Sequence, residues 1–131
     1  MGKTLQVCGL LYDPQSQQIL LRQTPAGWML LEARLARSDD PQEAFRHLVT
    51  KLLGIKLPLG DTFPVYDYFD NRLKISRYIF YAQLRSPLPP LPEEFSWFSF
   101  KAVGKLVCPL RTKHDTTITQ RVISANARAL I

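Results

Sequence analysis

Apolar and polar residues alternate along much of this chain with the two-residue period of β-strands. The runs are bounded by turn-forming pairs such as Asp13-Pro14 and Asp70-Asn71. One run begins with alternation and becomes apolar throughout, which favours a strand that enters the interior of a sheet. The predicted strands are residues 4–12, 17–23, 28–31, 62–69, 73–84 (the run that becomes apolar) and 95–100.

The spacing of apolar residues changes to a helical period after Pro41. Asp40 is the expected N-cap, and Pro41 suits the first helical position because its missing N–H would have no partner there. Glu43 completes the spacing of a capping box. Gly54 is typical of the residue that follows a helix, so we expect the helix to end at about Leu53.

A second helix is predicted over residues 116–129, with Asp115 as its cap. Its predicted apolar face comprises Ile118, Val122, Ala125 and Ala129. A short helical turn is expected at residues 103–106, and the proline-rich residues 86–92 predict an extended connection. The order of strands, helix, strands and helix indicates an α+β fold or an α/β sandwich, in which a mixed sheet lies between helices.

The composition is that of one globular domain: 131 residues, of which 46% are hydrophobic and 21% charged. We therefore expect a single domain over residues 1–131. There is no apolar run long enough to span a membrane and no recognisable secretory signal, so the expected location is cytoplasmic, with no membrane partner. Two cysteines, Cys8 and Cys108, are expected to be buried thiols rather than a disulfide.

Charge is unevenly distributed along the chain. Seventeen Lys and Arg residues face eleven Asp and Glu residues, giving a net charge of +6. Residues 101–131 carry six cations and one anion, Asp115. Such a surface attracts anions such as phosphates, nucleotides or nucleic acid. A basic surface that only maintains solubility remains an equally simple interpretation.

Three segments in the first half of the chain resemble parts of the Nudix hydrolase domain. They are Gly27-Trp28, the stretch Asp40-Pro41-Gln42-Glu43-Ala44, and Leu53-Gly54-Ile55 at the end of the predicted helix. The family signature is Gly-x5-Glu-x7-Arg-Glu-U-x-Glu-Glu-x-Gly-U, where U is a bulky aliphatic residue. Trp97-Phe98-Ser99-Phe100 also resembles a tryptophan-led strand of that family. The resemblance covers nearly the whole sequence and implies a Nudix-like fold.

Within the signature, the polar positions of this chain depart from the family pattern. Val49, Gly54 and Ile55 match. The other positions hold Ala33 for the first Gly, Asp39 for the first Glu, His47 for Arg, Leu48 for the Glu after it, and Lys51 and Leu52 for the paired metal-binding glutamates. The chain therefore has a degenerate Nudix box.

The resemblance implies cleavage of a diphosphate linked to another moiety, with Mg²⁺ neutralising the phosphate oxygens. Magnesium requires oxygen ligands, which Leu48 and Leu52 lack. The ammonium group of Lys51 would repel a dication. We therefore expect no metal site, no cofactor and no Mg²⁺-dependent pyrophosphohydrolase activity. The expected function is that of a module that binds a ligand or a partner.

Two alternatives remain open from the sequence. In a divergent but active hydrolase, Glu32, Asp39, Glu43 and His47 would be the candidate catalytic or metal-binding residues, with Mg²⁺ as cofactor and a nucleoside diphosphate derivative as substrate. Acids at a helix N-terminus are also explained by capping and by the helix dipole. In the other alternative, the chain is a basic nucleic-acid-binding domain, with RNA as a possible partner.

Leu48 and Leu52 widen the apolar stripe of the first helix towards the usual Nudix cleft. An apolar surface there would be covered by the chain's own side chains, by a protein partner or second copy, or by an apolar ligand. For a nucleotide or other phosphate-bearing ligand, an aromatic residue would stack on a base and cations would bind phosphate. The candidates are Trp28, Lys101, Lys105, Arg111 and Lys113.

Overall fold

The computed structural model describes residues 4–85, 88 and 90–129, and within them seven strands form one mixed sheet. The strands are β1 (Thr4–Asp13), β2 (Gln18–Thr24), β3 (Gly27–Met29), β4 (Leu31–Leu35), β5 (Thr62–Asp70), β6 (Ile75–Gln83) and β7 (Phe95–Ser99). The helices of these residues are α1 (Pro41–Leu53), α2 (Phe100–Val103) and α3 (Leu110–Ala129). A short 3₁₀ turn, Leu59–Asp61, precedes β5.

Strand β1 lies at the centre of the sheet. One of its edges pairs in parallel with β6, which in turn pairs antiparallel with β5. The other edge is shared, because β4 pairs with the first half of β1 and β2 with its last residues. Strand β2 also pairs with β3 and β7. The predicted architecture, a mixed sheet with flanking helices, is confirmed.

Helix α1 covers one face of the sheet. Pro41 occupies its first turn, and Gly54 ends it in the left-handed conformation, with φ of 70°. Phe45, Val49 and Leu53 pack into a core with side chains from the sheet. Gly9 of β1 allows this close packing, because a Cβ there would lie 2.3 Å from Phe45 Cε1 and 2.5 Å from the Phe80 carbonyl oxygen.

Helix α3 covers the opposite face of the sheet. The core on this side is formed by residues such as Leu10, Leu21, Ile79 and Tyr81, with Ile123 contributed by α3. The side chains of β1 alternate between the two cores, so that Val7 faces α1 and Cys8 belongs to the α3 side.

The predicted strands are confirmed except for residues 28–31, where two strands meet. Strand β3 ends at Met29 and β4 begins at Leu31, with the buried Leu30 between them. The chain passes here from pairing with β2 to pairing with β1. An unbroken apolar run cannot show such a change of partner, so the extension of β4 to Leu35 was missed.

The first helix is confirmed over its predicted length, but its capping differs. Asp40 makes no side-chain cap hydrogen bond, so the predicted capping box is wrong. Glu43 instead forms an ion pair with Arg46 on the next turn. The helix begins because Pro41 fixes the backbone and because its apolar face is buried.

The last helix differs more from its prediction. It begins at Leu110, so Asp115 lies inside it and is not a cap. Its buried face comprises Thr112, Asp115, Thr116, Thr119 and Ile123. Ile118 and Val122 are only partly buried and Ala125 is exposed, whereas the Ala129 side chain lies outside the described residues. The apolar pattern failed because threonines and one carboxylate occupy the buried positions.

Three smaller predictions are also resolved. The short helical turn is α2, at Phe100–Val103 rather than at residues 103–106. In the proline-rich stretch, residues 86, 87 and 89 lie outside the described residues, and the others form neither helix nor strand. Both cysteines are free thiols; Cys8 is buried, but Cys108 is only half-buried. Across the described residues, no helix is both long and apolar enough to cross a membrane.

Candidate functional site

A cleft of about 420 Å³ opens between α1 and the end of the sheet formed by β1 and β4. It gathers six of the residues singled out in the sequence. These are Ala33, Asp39, Glu43, His47, Leu48 and Lys51. They meet because α1 presents residues three and four apart on one face, opposite β4. The cleft also includes Val7, Arg34, Asp40 and Ala44.

Two carboxylates of the cleft, Asp39 and Glu43, take part in local structure. Asp39 Oδ2 accepts a hydrogen bond of 3.0 Å from the Ala36 backbone N–H, which closes the turn before α1. Glu43 pairs with Arg46, whose Nε also donates to the Leu57 carbonyl over 2.9 Å. These bonds link the start of α1 to the segments on either side of it.

The donor set of the α1 cleft does not fit a magnesium ion. The helix positions that would have to supply oxygen ligands hold Leu48 and the ammonium group of Lys51, and Leu52 packs partly buried against the core. Among the residues described by the structure, no three His, Cys, Asp or Glu side chains are grouped to hold a metal ion. Leu48, Lys51 and Leu52 therefore supply no oxygen ligand to a divalent cation, whereas Asp39, Asp40, Glu43 and His47 line the same cleft.

The apolar face at Leu48 and Leu52 is covered largely by the chain itself. Leu48 is 8% exposed and belongs to the same core cluster as Val7 and Leu31. Leu52 packs against that cluster with part of its surface accessible. Of the three interpretations of this face, the geometry favours cover by the chain's own side chains.

Glu32, the remaining candidate acid, lies outside the α1 cleft and belongs to the opposite face of the sheet. Its Oε1 accepts a hydrogen bond of 2.8 Å from Arg77 Nη2, and its Oε2 accepts one of 3.3 Å from Gln6 Nε2. Burial raises the pKa of the Glu32 carboxyl, and the Arg77 guanidinium opposes that rise. Glu32 is thus separated by the sheet from Asp39 and Glu43, and the three acids do not form one site.

Arg77 is the centre of a buried polar cluster between the sheet and α3. Its side chain is 1% exposed, yet all five of its N–H donors have acceptors. The acceptors are Gln6 Oε1 at 3.0 Å, Asp115 Oδ2 at 2.6 Å, Glu32 Oε1 at 2.8 Å, Cys8 Sγ at 3.2 Å and the Tyr68 hydroxyl. A guanidinium with every donor satisfied can remain charged inside the protein.

Asp115 connects this cluster to α3. Its Oδ1 accepts hydrogen bonds from the hydroxyls of Tyr66, at 2.6 Å, and Tyr68, at 3.2 Å. Burial, together with the charge of Asp115, raises the pKa of both tyrosines, so both keep the protons that they donate. The cluster therefore fixes the first half of α3 onto β5 and β6.

This cluster was not predicted from the sequence, although one signal was present. Arg77 is the third residue of β6, a strand with six apolar residues out of nine, where an unpaired charge would be very costly. A cation at such a position requires buried carboxylates nearby. Which carboxylates these are depends on contacts between residues 38 and 45 positions apart in the chain.

Cys8 is expected to resist thiol reagents in the folded protein. Burial raises the pKa of the Cys8 thiol far above its ordinary value, despite the Arg77 guanidinium beside it, so the reactive thiolate is rare. With an aromatic disulfide reagent at mildly alkaline pH, we expect one slowly reacting thiol, Cys108, and a second that reacts only after unfolding in guanidinium. The Cys108→Ser variant should then show no native-state reaction; a reaction of that variant would contradict the burial of Cys8.

The predicted ligand-binding residues do not form one site. Trp28 packs edge-on against Phe98, with ring centroids 4.7 Å apart, as part of the α3-side core. Lys101 and Lys113 share a cavity of about 130 Å³ between α2 and α3. Lys105 is exposed beyond α2, and Arg111 lies 3.8 Å from the Glu32 carboxylate. The structure does not place Trp28 in the cavity that Lys101 and Lys113 share, and the binding of a base and a phosphate by these residues stays a prediction.

No family model matches this chain, and no curated protein matches it. Solved structures match it over nearly their full lengths. A mutT/nudix family protein from Listeria innocua is 11% identical over 98% of this chain and 99% of its own, with a TM-score of 0.79. The C-terminal domain of mouse MUTYH, solved in complex with human PCNA, is 13% identical over 94% of this chain and 91% of its own, with a TM-score of 0.78.

A third similar structure is the NUDIX domain of Shewanella oneidensis NrtR in complex with ADP ribose. It is 12% identical, covers 94% of this chain and 90% of its own, and has a TM-score of 0.74. Identities this low carry no residue roles from one protein to another, but TM-scores of 0.74–0.79 over 94–98% of this chain establish the architecture. This chain has the Nudix fold.

Proposed function

We propose that this chain is a Nudix-fold binding module that does not catalyse Mg²⁺-dependent hydrolysis of a diphosphate. The observation that carries the proposal is the composition of the α1 cleft. Leu48 and Lys51 occupy the turns of α1 from which oxygen ligands would have to come, and two of the acids of the cleft, Asp39 and Glu43, are engaged in local structure. Without such ligands, the charge that develops on a cleaved phosphate has no metal to neutralise it.

Proteins of similar structure have been solved in complex with other molecules. The Shewanella oneidensis NrtR domain was solved with ADP ribose, and the mouse MUTYH domain was solved with PCNA. These two domains, both similar in structure to this chain, were thus solved with ADP ribose in one case and with a protein in the other. They support a binding role for this chain without naming its ligand.

One observation favours the alternative of a divergent hydrolase. Asp39, Asp40 and Glu43 line the same cleft as His47, at the N-terminal end of α1. A rearrangement that released Glu43 from Arg46 would leave carboxylates facing a bound diphosphate derivative. This alternative requires Mg²⁺ to bind at the start of α1 rather than farther along the helix, at Leu48 and Lys51.

We expect no saturable Mg²⁺ or Mn²⁺ binding by calorimetry, and no metal-dependent turnover of nucleoside diphosphate derivatives, ADP ribose included. The physical reason is that the cleft offers a cation and an aliphatic side chain where hard oxygen donors are needed. Product release should equal that of a blank without protein.

The contrary result would be turnover that depends on the metal and is lost in Glu43→Gln or Asp39→Asn. The matched control is Glu93→Gln, an exposed carboxylate outside the cleft. Turnover that survives all three substitutions would indicate a contaminating enzyme and would leave the protein without measured activity, as proposed.

A further inference from the structure

A second, larger groove lies on the α3 side of the sheet. It has a volume of about 680 Å³ and runs between the turn that joins β5 to β6 and the first two turns of α3. The turn contributes residues 68–73, and α3 contributes residues 110–117. This groove and the α1 cleft lie on opposite faces of the sheet, so a ligand in one does not touch the other.

Apolar side chains are unusually exposed in this groove. Of the described residues, four large hydrophobic side chains are exposed, and three of them line it: Phe69, Leu73 and Leu110. Leu110 is 75% exposed although it begins a helix whose following turns are well packed. The fourth, Val107, is 82% exposed and lies outside the groove. Apolar area gathered in one concavity marks a binding surface more often than scattered exposure does.

Cations surround the apolar floor of the groove, which Phe69, Leu73 and Leu110 form. Arg72, Arg111 and Lys113 line the groove, with His114 beside them. The carboxylate of Asp70 is engaged, because its Oδ1 accepts hydrogen bonds from the backbone N–H groups of Arg72 and Leu73. Arg77 balances only one of the two carboxylates of its cluster, so that the four cations Arg72, Arg77, Arg111 and Lys113 exceed Asp70, Glu32 and Asp115 by one charge. The field in the groove is therefore positive.

Arg111 adds a more specific signal. Its Nε is buried and has no hydrogen-bond partner among the described residues. An ion-pair contact joins this Nε to Glu32 Oε1, but the distance of 3.8 Å is too long for a hydrogen bond. Buried donors without acceptors are uncommon in folded proteins. An anionic ligand that drew the guanidinium a short way would supply the missing acceptor.

We propose that this groove binds a small amphipathic anion, with an aromatic or aliphatic body on Leu73 and Leu110 and one acidic group near Arg72 and Arg111. Its volume lies in the range of small-ligand pockets, roughly 300–1,000 Å³. The pairing of an apolar floor with a cationic rim selects this class over neutral apolar compounds, which gain nothing from the rim, and over free phosphate, which gains nothing from the floor. The proposal rests on the binding role proposed above and gives it a ligand class.

The test uses 8-anilinonaphthalene-1-sulfonate, an aromatic anion whose fluorescence rises in apolar surroundings. We expect saturable binding to the native protein, with amide chemical-shift changes centred on residues 68–73 and 110–117. Leu110→Glu should weaken binding by roughly tenfold or more, because it places a charge on the floor and repels the anion. Val107→Glu, an equally exposed substitution outside the groove, should leave binding unchanged.

A second pair of variants isolates the charge. Arg72→Gln should weaken sulfonate binding several-fold, whereas Arg128→Gln, on the last turn of α3, should not. N-phenyl-1-naphthylamine, which keeps the aromatic body but lacks the acidic group, should bind more weakly and should not respond to Arg72→Gln.

Absence of saturable binding would overturn the proposal, as would shifts centred on α1 or equal effects of Leu110→Glu and Val107→Glu. Circular dichroism would establish that each variant is folded. If the sulfonate does not bind, the expected absence of metal-dependent turnover is unaffected. Conversely, metal-dependent turnover at the α1 cleft would refute the proposed function without changing the sulfonate result.

Discussion

Replacing Asp115 with alanine is expected to lower the free energy of unfolding by about 3–5 kcal/mol. Asp115 is fully buried and holds Arg77 Nη1 at 2.6 Å while accepting hydrogen bonds from two tyrosine hydroxyls. Alanine would leave a buried guanidinium with one carboxylate fewer and both hydroxyls without their acceptor. Because domains of this size are stable by about 5–15 kcal/mol, the loss is a large part of the total. Urea unfolding followed by circular dichroism measures it.

An exposed ion pair in the same protein is the matched control for this substitution. Arg22 and Glu94 lie 3.7 Å apart on the surface. Glu94→Ala should cost less than about 1 kcal/mol, because water solvates the remaining arginine. Equal costs for Asp115→Ala and Glu94→Ala would mean that water reaches the Arg77 cluster and that its burial is misassigned.

A double substitution separates the charge from the packing. Arg77→Met combined with Asp115→Leu removes both charges and keeps most of the volume, so it should be less destabilising than the sum of the single changes. The difference measures the coupling between the two residues. A strictly additive result would show that Arg77 and Asp115 do not interact.

The second large effect is expected from Leu48→Glu, which places a carboxylate where the Nudix signature has a glutamate. Leu48 is almost completely buried in the α1-side core, so the new charge would lie against Val7 and Leu31. We expect a loss of a few kcal/mol in the free energy of unfolding. The same unfolding experiment measures it, and sedimentation gives the oligomeric state of both proteins.

His47→Glu is the control for Leu48→Glu, since it places the same group on the same helix at an exposed position. Its effect should stay within about 0.5 kcal/mol. If Leu48→Glu instead left the stability of the monomer unchanged and dissociated a dimer, a second copy of the chain would be what covers Leu48. The core contacts around that residue predict loss of stability without a change in oligomeric state.

The two helices show where sequence reasoning succeeds and where it stops. The bounds of α1 follow from Pro41, from Gly54 and from an apolar stripe at helical spacing, all of which are local. The bounds and buried face of α3 were mispredicted, because the side chains that face the sheet are Thr112, Asp115, Thr116 and Thr119. The hydroxyls of Thr116 and Thr119 donate to carbonyls of α3 itself, but a buried carboxylate requires a cation from elsewhere in the chain. For Asp115 that cation is Arg77.

The sequence by itself determined the order of strands and helices, because strand period and helix ends are properties of single segments. Its resemblance to the Nudix signature indicated that Leu48, Lys51 and Leu52 stand where that signature has glutamates. Only the tertiary structure decided that Leu48 is covered by the chain's own core. The tertiary structure also showed that Glu32 lies on the opposite face of the sheet from Asp39 and Glu43. It further showed that Arg72, Leu110 and Arg111 line one groove. These facts depend on which face of the sheet each side chain occupies, and that is fixed by pairings between distant strands.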